Sequence, residues 1–211
     1  MDFRKIDVEN WYRKEHFEHF YNKLNCAYSI TNNICITELM EVIQKRQFKF
    51  YPVMLYLIAK TVNDQDEFKT TIDENDSIGI WESINPSYTI FHPDDKSYSS
   101  IWTIYSDNFE LFYNNCLSDI NRYGDIKGFS TKPNEPLNTF SVSNLPWLNF
   151  LSFHLELETK YLAPIVTFGK YTSKGNDISL PLNIRMHHSV CDGYHIHKFF
   201  EGLRQHMQSF Y

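Results

Sequence analysis

Glycine is scarce in this chain, at 7 of 211 residues, and proline is hardly commoner at 8. Nowhere do the two gather with serine into a linker, and no internal repeat or low-complexity tract appears. One domain over 1–211 is therefore expected, long enough to bury a sizeable core. Long apolar runs are missing too. The longest, VMLYLIA at 53–59, falls far short of the ~20 residues that cross a bilayer. The opening MDFRKIDVEN has no apolar stretch of the kind a secretion signal needs, which points to the cytoplasm. The four cysteines, Cys26, Cys35, Cys116 and Cys191, form no CxxC pair and are expected as reduced thiols. Nor is there an excess of basic charge. A net charge of −6 argues against non-specific nucleic-acid binding, which needs clustered Lys and Arg. A phosphate-bearing ligand would need only a local basic patch.

What the chain has in quantity is rings. Aromatics make up 17% of it, with 17 Phe and 14 Tyr, enough to line a core or a pocket. Periodicity predicts a helix over 10–23 with Asn10 as its cap, a strand over 27–37, and helices over 36–46 and 51–64. Pro52 suits the first turn of the last of these. Three β-rich runs follow at 77–84, 87–92 and 98–105, then a helix over 107–123 and a loop over 128–136. Strands are predicted over 138–143, 149–157, 163–171 and 177–188. A closing helix starts near Tyr194, with Ile196, Phe200, Leu203, Met207 and Phe210 at steps of four and three. Helices and strands interleave without strict alternation. That favours an α/β two-layer fold, a mixed sheet with helices mainly on one face.

The densest chemistry is MHHSVCDGYHIH, residues 186–197. Four histidines suggest metal by count, but the spacing is poor. His187 and His188, adjacent on a strand, point to opposite faces. His195 and His197 stand about 200° apart around a helix, and neither HExxH nor a cysteine pair is present. Cys191 lies near a helix start, where a thiolate could be stabilised, yet a free cysteine is commonly a small buried hydrophobe. A third arrangement is a strand delivering one imidazole to a cleft, then a turn at Asp192-Gly193, then the helix. Histidine suits a general base for a hydroxyl. Asp192 could orient it as in a triad, or could hold the turn by pairing elsewhere. The residues alone leave those two roles open.

HHSVCDG fits the HHxxxDG motif of CoA-dependent acyltransferases, and around it the chain resembles the trimeric chloramphenicol acetyltransferase family. NWYRKEHFEHF, YPVMLYLIA, EFKTTI, PSYTIFH, SVSNLPW and PLNIRMHHSVCDGYH follow in that family's order and spacing. The HHxxxDG motif alone marks only the broad superfamily; the SxLPW-type segment and WxRKEHF narrow it.

The resemblance implies an enzyme that moves the acetyl group of acetyl-CoA to a hydroxyl of chloramphenicol and so gives antibiotic resistance. Acetyl-CoA would be a co-substrate, with no permanently bound cofactor and no metal. A homotrimer with sites at subunit interfaces is implied, and neither nucleic acid nor membrane is an expected partner. On this reading His188 is the base, no acyl-enzyme forms, Cys191 has no role and His187 is structural. Ser143 is the oxyanion donor, Thr167 orders water near the intermediate, and Asp192 pairs with Arg13. Acceptor contacts fall on Phe20, Cys26, Tyr28, Tyr98, Phe129, Leu155 and Ile165. The CoA nucleotide would meet Lys49, Tyr51, Lys170 and Tyr171. Phe20 stands where the family commonly has tyrosine, which keeps the ring and moves a hydroxyl. Two other readings stay open: the same fold acting on a different hydroxyl or thiol, and an idle relative that binds an aromatic ligand.

Overall fold

The computed structural model describes residues 2–157 and 160–210. Its main sheet has seven strands: β2 (Ala27–Cys35), β5 (Asn85–His92), β6 (Ser97–Trp102), β7 (Thr139–Leu145), β8 (Ile165–Gly169), β9 (Thr172–Lys174) and β10 (Asp177–His187). The order is β2-β10-β8-β7-β5-β6, with β9 pairing the start of β10. The β5–β7 and β7–β8 pairs are parallel and the rest antiparallel, so the sheet is mixed.

Strand alternation divides the sheet into two unlike faces. Tyr88, Val142, Val166 and Ile184 stand in register and are almost wholly buried. This apolar face packs the helices α2 (Thr37–Arg46), α3 (Phe50–Asn63), α4 (Phe109–Tyr123) and α5 (Gly193–Gln208). Helix α3 is buried on most sides, as its nearly unbroken apolar sequence requires. The adjacent residues on three of these strands, Ser143, Thr167 and Asn183, form a polar row on the opposite face. The predicted two-layer mixed sheet is therefore present.

Three local readings need correction. The N-terminal helix does not start at Asn10. A short turn at Val8–Asn10 is capped by Asp7, which also takes the Asn10 side-chain hydrogen bond at 2.7 Å. Helix α1 (Lys14–Phe17) follows and widens into a π-helical turn over Glu18–Lys23. Second, 149–157 alternates like a strand but joins no strand ladder among the described residues; it is held by side chains instead, Asn183 Nδ2 donating to Phe153 O at 2.9 Å. Third, a small sheet of β1 (Phe3–Lys5), β3 (Thr70–Ile72) and β4 (Ile78–Trp81) went unforeseen in part, because β1 and β3 have only three residues each.

One glycine shapes the site. At Gly169 a Cβ would lie 2.4 Å from the Leu148 carbonyl oxygen and 2.9 Å from Pro181. Its absence lets the turn after β7 close on the end of β8, where Lys170 N–H donates to Leu148 O at 2.7 Å.

Candidate functional site

β10 delivers its two histidines to different surroundings. His187 is buried. Its Nδ1 meets the Ser189 hydroxyl at 2.7 Å and its Nε2 the Asn25 side-chain oxygen at 3.3 Å. Burial first, and then the nearby Arg185, Lys160 and His188, lower its pKa to about 4. It is a neutral ring with both nitrogens engaged.

His188 lies one residue beyond the strand. Its backbone N–H donates to Cys26 O at 2.8 Å, and its Nδ1 lies 3.2 Å from Cys191 O. A carbonyl can only accept, so Nδ1 carries the proton and Nε2 keeps its lone pair. Phe20 stacks on the imidazole at 4.1 Å with the planes 7° apart, and Tyr28 packs against it at 4.9 Å. A ring so held has one orientation and one basic nitrogen.

Asp192 makes no hydrogen bond to His188. It caps α5, accepting from Tyr194 N–H at 3.3 Å, and Arg13 Nη1 donates to its Oδ2 at 3.0 Å. Burial would raise this carboxyl, but the Arg13 hydrogen bond, with the charges of His195 and Arg13 and the Tyr194 N–H, holds it below the ordinary value. The carboxylate is thus a turn anchor, and the triad option left open by the sequence closes. His195 completes a capping box by accepting from Asp192 N–H at 3.1 Å. Sequence reading missed this, because the position three residues into a capped helix is ordinarily Glu or Gln. Cys191 is fully buried, and burial first of all raises its thiol to about 12, so no useful thiolate exists near neutrality. Among the described residues no group of His, Cys, Asp and Glu is arranged to hold a metal ion.

If Arg13 and Asp192 act as one unit, removing either should do most of the damage of removing both. Asp192→Asn, Arg13→Ala and the double variant should give a thermal-stability cycle with coupling of about 0.5–3 kcal/mol. Strict additivity would mean the pair contributes nothing jointly.

The second part of the site is a cleft of about 530 Å³ at the end of β7 and β8. Ser143, Thr167, Tyr51, Tyr98, Leu155 and Trp147 contribute to its walls. Ser143 and Thr167 are register neighbours on adjacent strands. Tyr51 donates to Thr89 O at 2.8 Å, and burial raises its pKa. Lys49 caps α3 beside Tyr51, while Lys170 and Tyr171 follow β8. Phe50 packs against Tyr171 at 5.7 Å and so brings the two segments together. Both lysines are exposed, and neither is paired with a carboxylate among the described residues. Phe129 stands beside Tyr98, ring centroids 6.4 Å apart. Ile165 is buried at the start of β8, two residues before Thr167 and on the same face of the sheet.

The residues expected at the acceptor therefore form two groups. Phe20, Cys26 and Tyr28 surround His188; Tyr98 and Leu155 share the cleft with Ser143. Ser143 is in register with Thr167 and Asn183, two strands across from β10 and five residues short of His188. Strand spacing puts the two side chains about 20 Å apart within one chain. One chain does not bring His188 and Ser143, the expected base and oxyanion donor, to a common atom.

A family model described as chloramphenicol acetyltransferase matches residues 1–204. A chloramphenicol acetyltransferase of Clostridium perfringens is 48% identical over 207 residues, covering 97% of this chain and 94% of its own length. Chloramphenicol acetyltransferase 3 of Escherichia coli is 40% identical, covering 97% of each. Among solved structures, a chloramphenicol acetyltransferase superposes with a TM-score of 0.85 at 21% identity, covering 98% of this chain and 100% of that one. A dihydrolipoamide acetyltransferase of Azotobacter vinelandii superposes at 0.64 with 13% identity, covering 93% and 86%, a likeness of fold alone.

Proposed function

The chain belongs to the chloramphenicol acetyltransferase family, and from that membership we propose how its residues carry out acetyl transfer. The enzyme moves an acetyl group from acetyl-CoA to a hydroxyl of chloramphenicol, the change that confers resistance to the drug. The observation that carries the mechanism is the His188 imidazole. Its Nδ1–H is committed to Cys191 O, so Nε2 is the free base.

Nε2 takes the acceptor hydroxyl's proton as that oxygen bonds to the thioester carbon. The carbonyl electrons move onto its oxygen, and the Ser143 hydroxyl donates to that oxyanion. It has no hydrogen bond to another described residue and is uncommitted until the charge develops. Thr167 holds water beside it. Collapse of the intermediate breaks the carbon–sulfur bond, and the thiolate leaves as CoA thiol with the proton that His188 held. Acetyl-CoA enters as a co-substrate and leaves as CoA, with no group permanently bound. Lys49 and Lys170, with Tyr51 and Tyr171, meet the nucleotide; unpaired ammonium groups on an acidic protein suit its phosphates.

The active oligomer is a homotrimer, with His188 of one copy facing the Ser143 cleft of the next. The separation of about 20 Å within a chain favours this. So do the edge of β2 and the alternating 149–157 segment, neither of which has a further strand partner among the described residues. One continuous catalytic domain of 1–211 is expected. No helix among the described residues is long and apolar enough to cross a membrane, and a cytoplasmic enzyme would meet acetyl-CoA where it is made. Thiol release from acetyl-CoA, followed with chloramphenicol and a panel of other alcohols and thiols, tests the acceptor. Chloramphenicol should be turned over best; release with none of them would leave only a binder of aromatic ligands.

A further inference from the structure

The strap between α4 and β7 carries an arrangement that the chemistry above does not use. Ser130 bridges Ser100 of β6; Ser100 N–H donates to Phe129 O at 2.7 Å, and Thr131 N–H to Ser100 O at 3.1 Å. This lays Phe129 beside Tyr98, a wall of the cleft. Phe129 is 77% exposed, so burial of its own ring does not hold it there.

Charged contacts hold the strap at both ends. Lys127 pairs with Asp94 and, at 2.7 Å, with Asp95 in the β5–β6 turn. That clamp lies in water and is weakened by salt. The clamp at Lys132 is mostly buried, with the two side chains 13% and 16% exposed. Lys132 Nζ lies 2.7 Å from Asp119 Oδ1 on α4, donates to Trp102 O at 2.9 Å, and sits 3.9 Å from the Trp102 ring centroid. The other Asp119 oxygen accepts from Thr103 at 2.7 Å, and the Thr103 hydroxyl meets Tyr88 OH at 2.8 Å.

A charge pair with little exposure is a poor way to gain stability and a good way to select one geometry. Here a carboxylate, a carbonyl and a ring face fix the ammonium at once, three residues past Phe129. We propose that Lys132 and Asp119 are positioning residues for the acceptor, holding the strap so that Phe129 stands as a fixed wall opposite Tyr98. This rests on reading Phe129 and Tyr98 as acceptor contacts.

The test is steady-state kinetics on Lys132→Met, Phe129→Ala and the double variant, each with its melting temperature. Loss of a fixed aromatic wall should raise KM for chloramphenicol roughly 5–20-fold in Phe129→Ala, and roughly 3–10-fold in Lys132→Met. KM for acetyl-CoA and kcat should stay within about twofold. The double variant should be no worse than Phe129→Ala, because both changes act through one ring. Multiplying KM losses, or a Lys132→Met enzyme that melts lower with both KM values at parent level, would overturn the positioning role and leave the acetyl transfer untouched. A Phe129→Ala enzyme with unchanged acceptor KM would remove the acceptor contact itself, and the inference with it. If Lys132→Met does not fold, Lys132→Gln with Asp119→Asn leaves no lone buried charge and is judged by the same split.

Discussion

His188→Ala should lose at least the ~10²–10⁴-fold of turnover typical of a missing general base, with the fold intact. The reason is local. Among the described residues, His188 Nε2 is the one nitrogen of the two imidazoles without a partner, and Phe20 and Cys191 O hold its ring in place from two sides. KM for either substrate should change far less than kcat, since the imidazole accepts its proton only as the bond forms. His187→Ala is expected to behave differently. It leaves the buried Ser189 hydroxyl without its imidazole partner, at a cost of about 1–3 kcal/mol for an unsatisfied polar group. Its melting temperature should fall, and the enzyme that remains folded should work at near the parent rate. Equal, large losses of turnover in two folded variants would mean that the wrong ring has been assigned, or that both act.

Ser143→Ala should cut kcat by roughly 10–10³-fold, against ~10²–10³ for a strong oxyanion donor. The hydroxyl meets a full charge only in the tetrahedral intermediate, so both Michaelis constants should move little. Ser143→Cys keeps the shape but is a weaker donor, and should recover only part of the rate. A Ser143→Ala enzyme working at the parent rate would transfer the role to another group. Thr167, its register neighbour in the same cleft, would be the first to replace.

The fold was legible where periodicity was long and clean. The apolar face of the sheet and helices α2 to α5 follow from it, because each buries a continuous stripe. Short elements escaped. β1 and β3 have three residues each, too few to show alternation, and β1 pairs with β4 across more than seventy residues, which no local pattern records. The 149–157 segment carries a strand's alternation but joins no strand among the described residues, and alternation alone does not say what a segment pairs with. At the site, the alternation of strand residues separated His187 from His188. What it could not supply was the carbonyl of Cys191, a backbone atom that any residue type would present, or a histidine at the place where a capping box ordinarily has Glu or Gln. The pairing of Asp192 with Arg13 came from family resemblance alone, for 179 residues separate them in the chain. The clamp of Lys132 on Asp119 was not legible at all, since a lysine in a loop reads as solvated.

Mixing two inactive variants tests most directly whether base and oxyanion donor come from different copies. His188→Ala and Ser143→Ala are unfolded together in equal amounts, refolded, and assayed for CoA release with chloramphenicol. In a shared site, an intact His188 on one copy meets an intact Ser143 on its neighbour in about one site of four at random assembly. Activity should therefore return to about a quarter of the parent level, far above either variant refolded alone. Activity that stays at the level of the two separate variants, in a mixture shown to have exchanged subunits, would mean that each chain carries both groups to its own site.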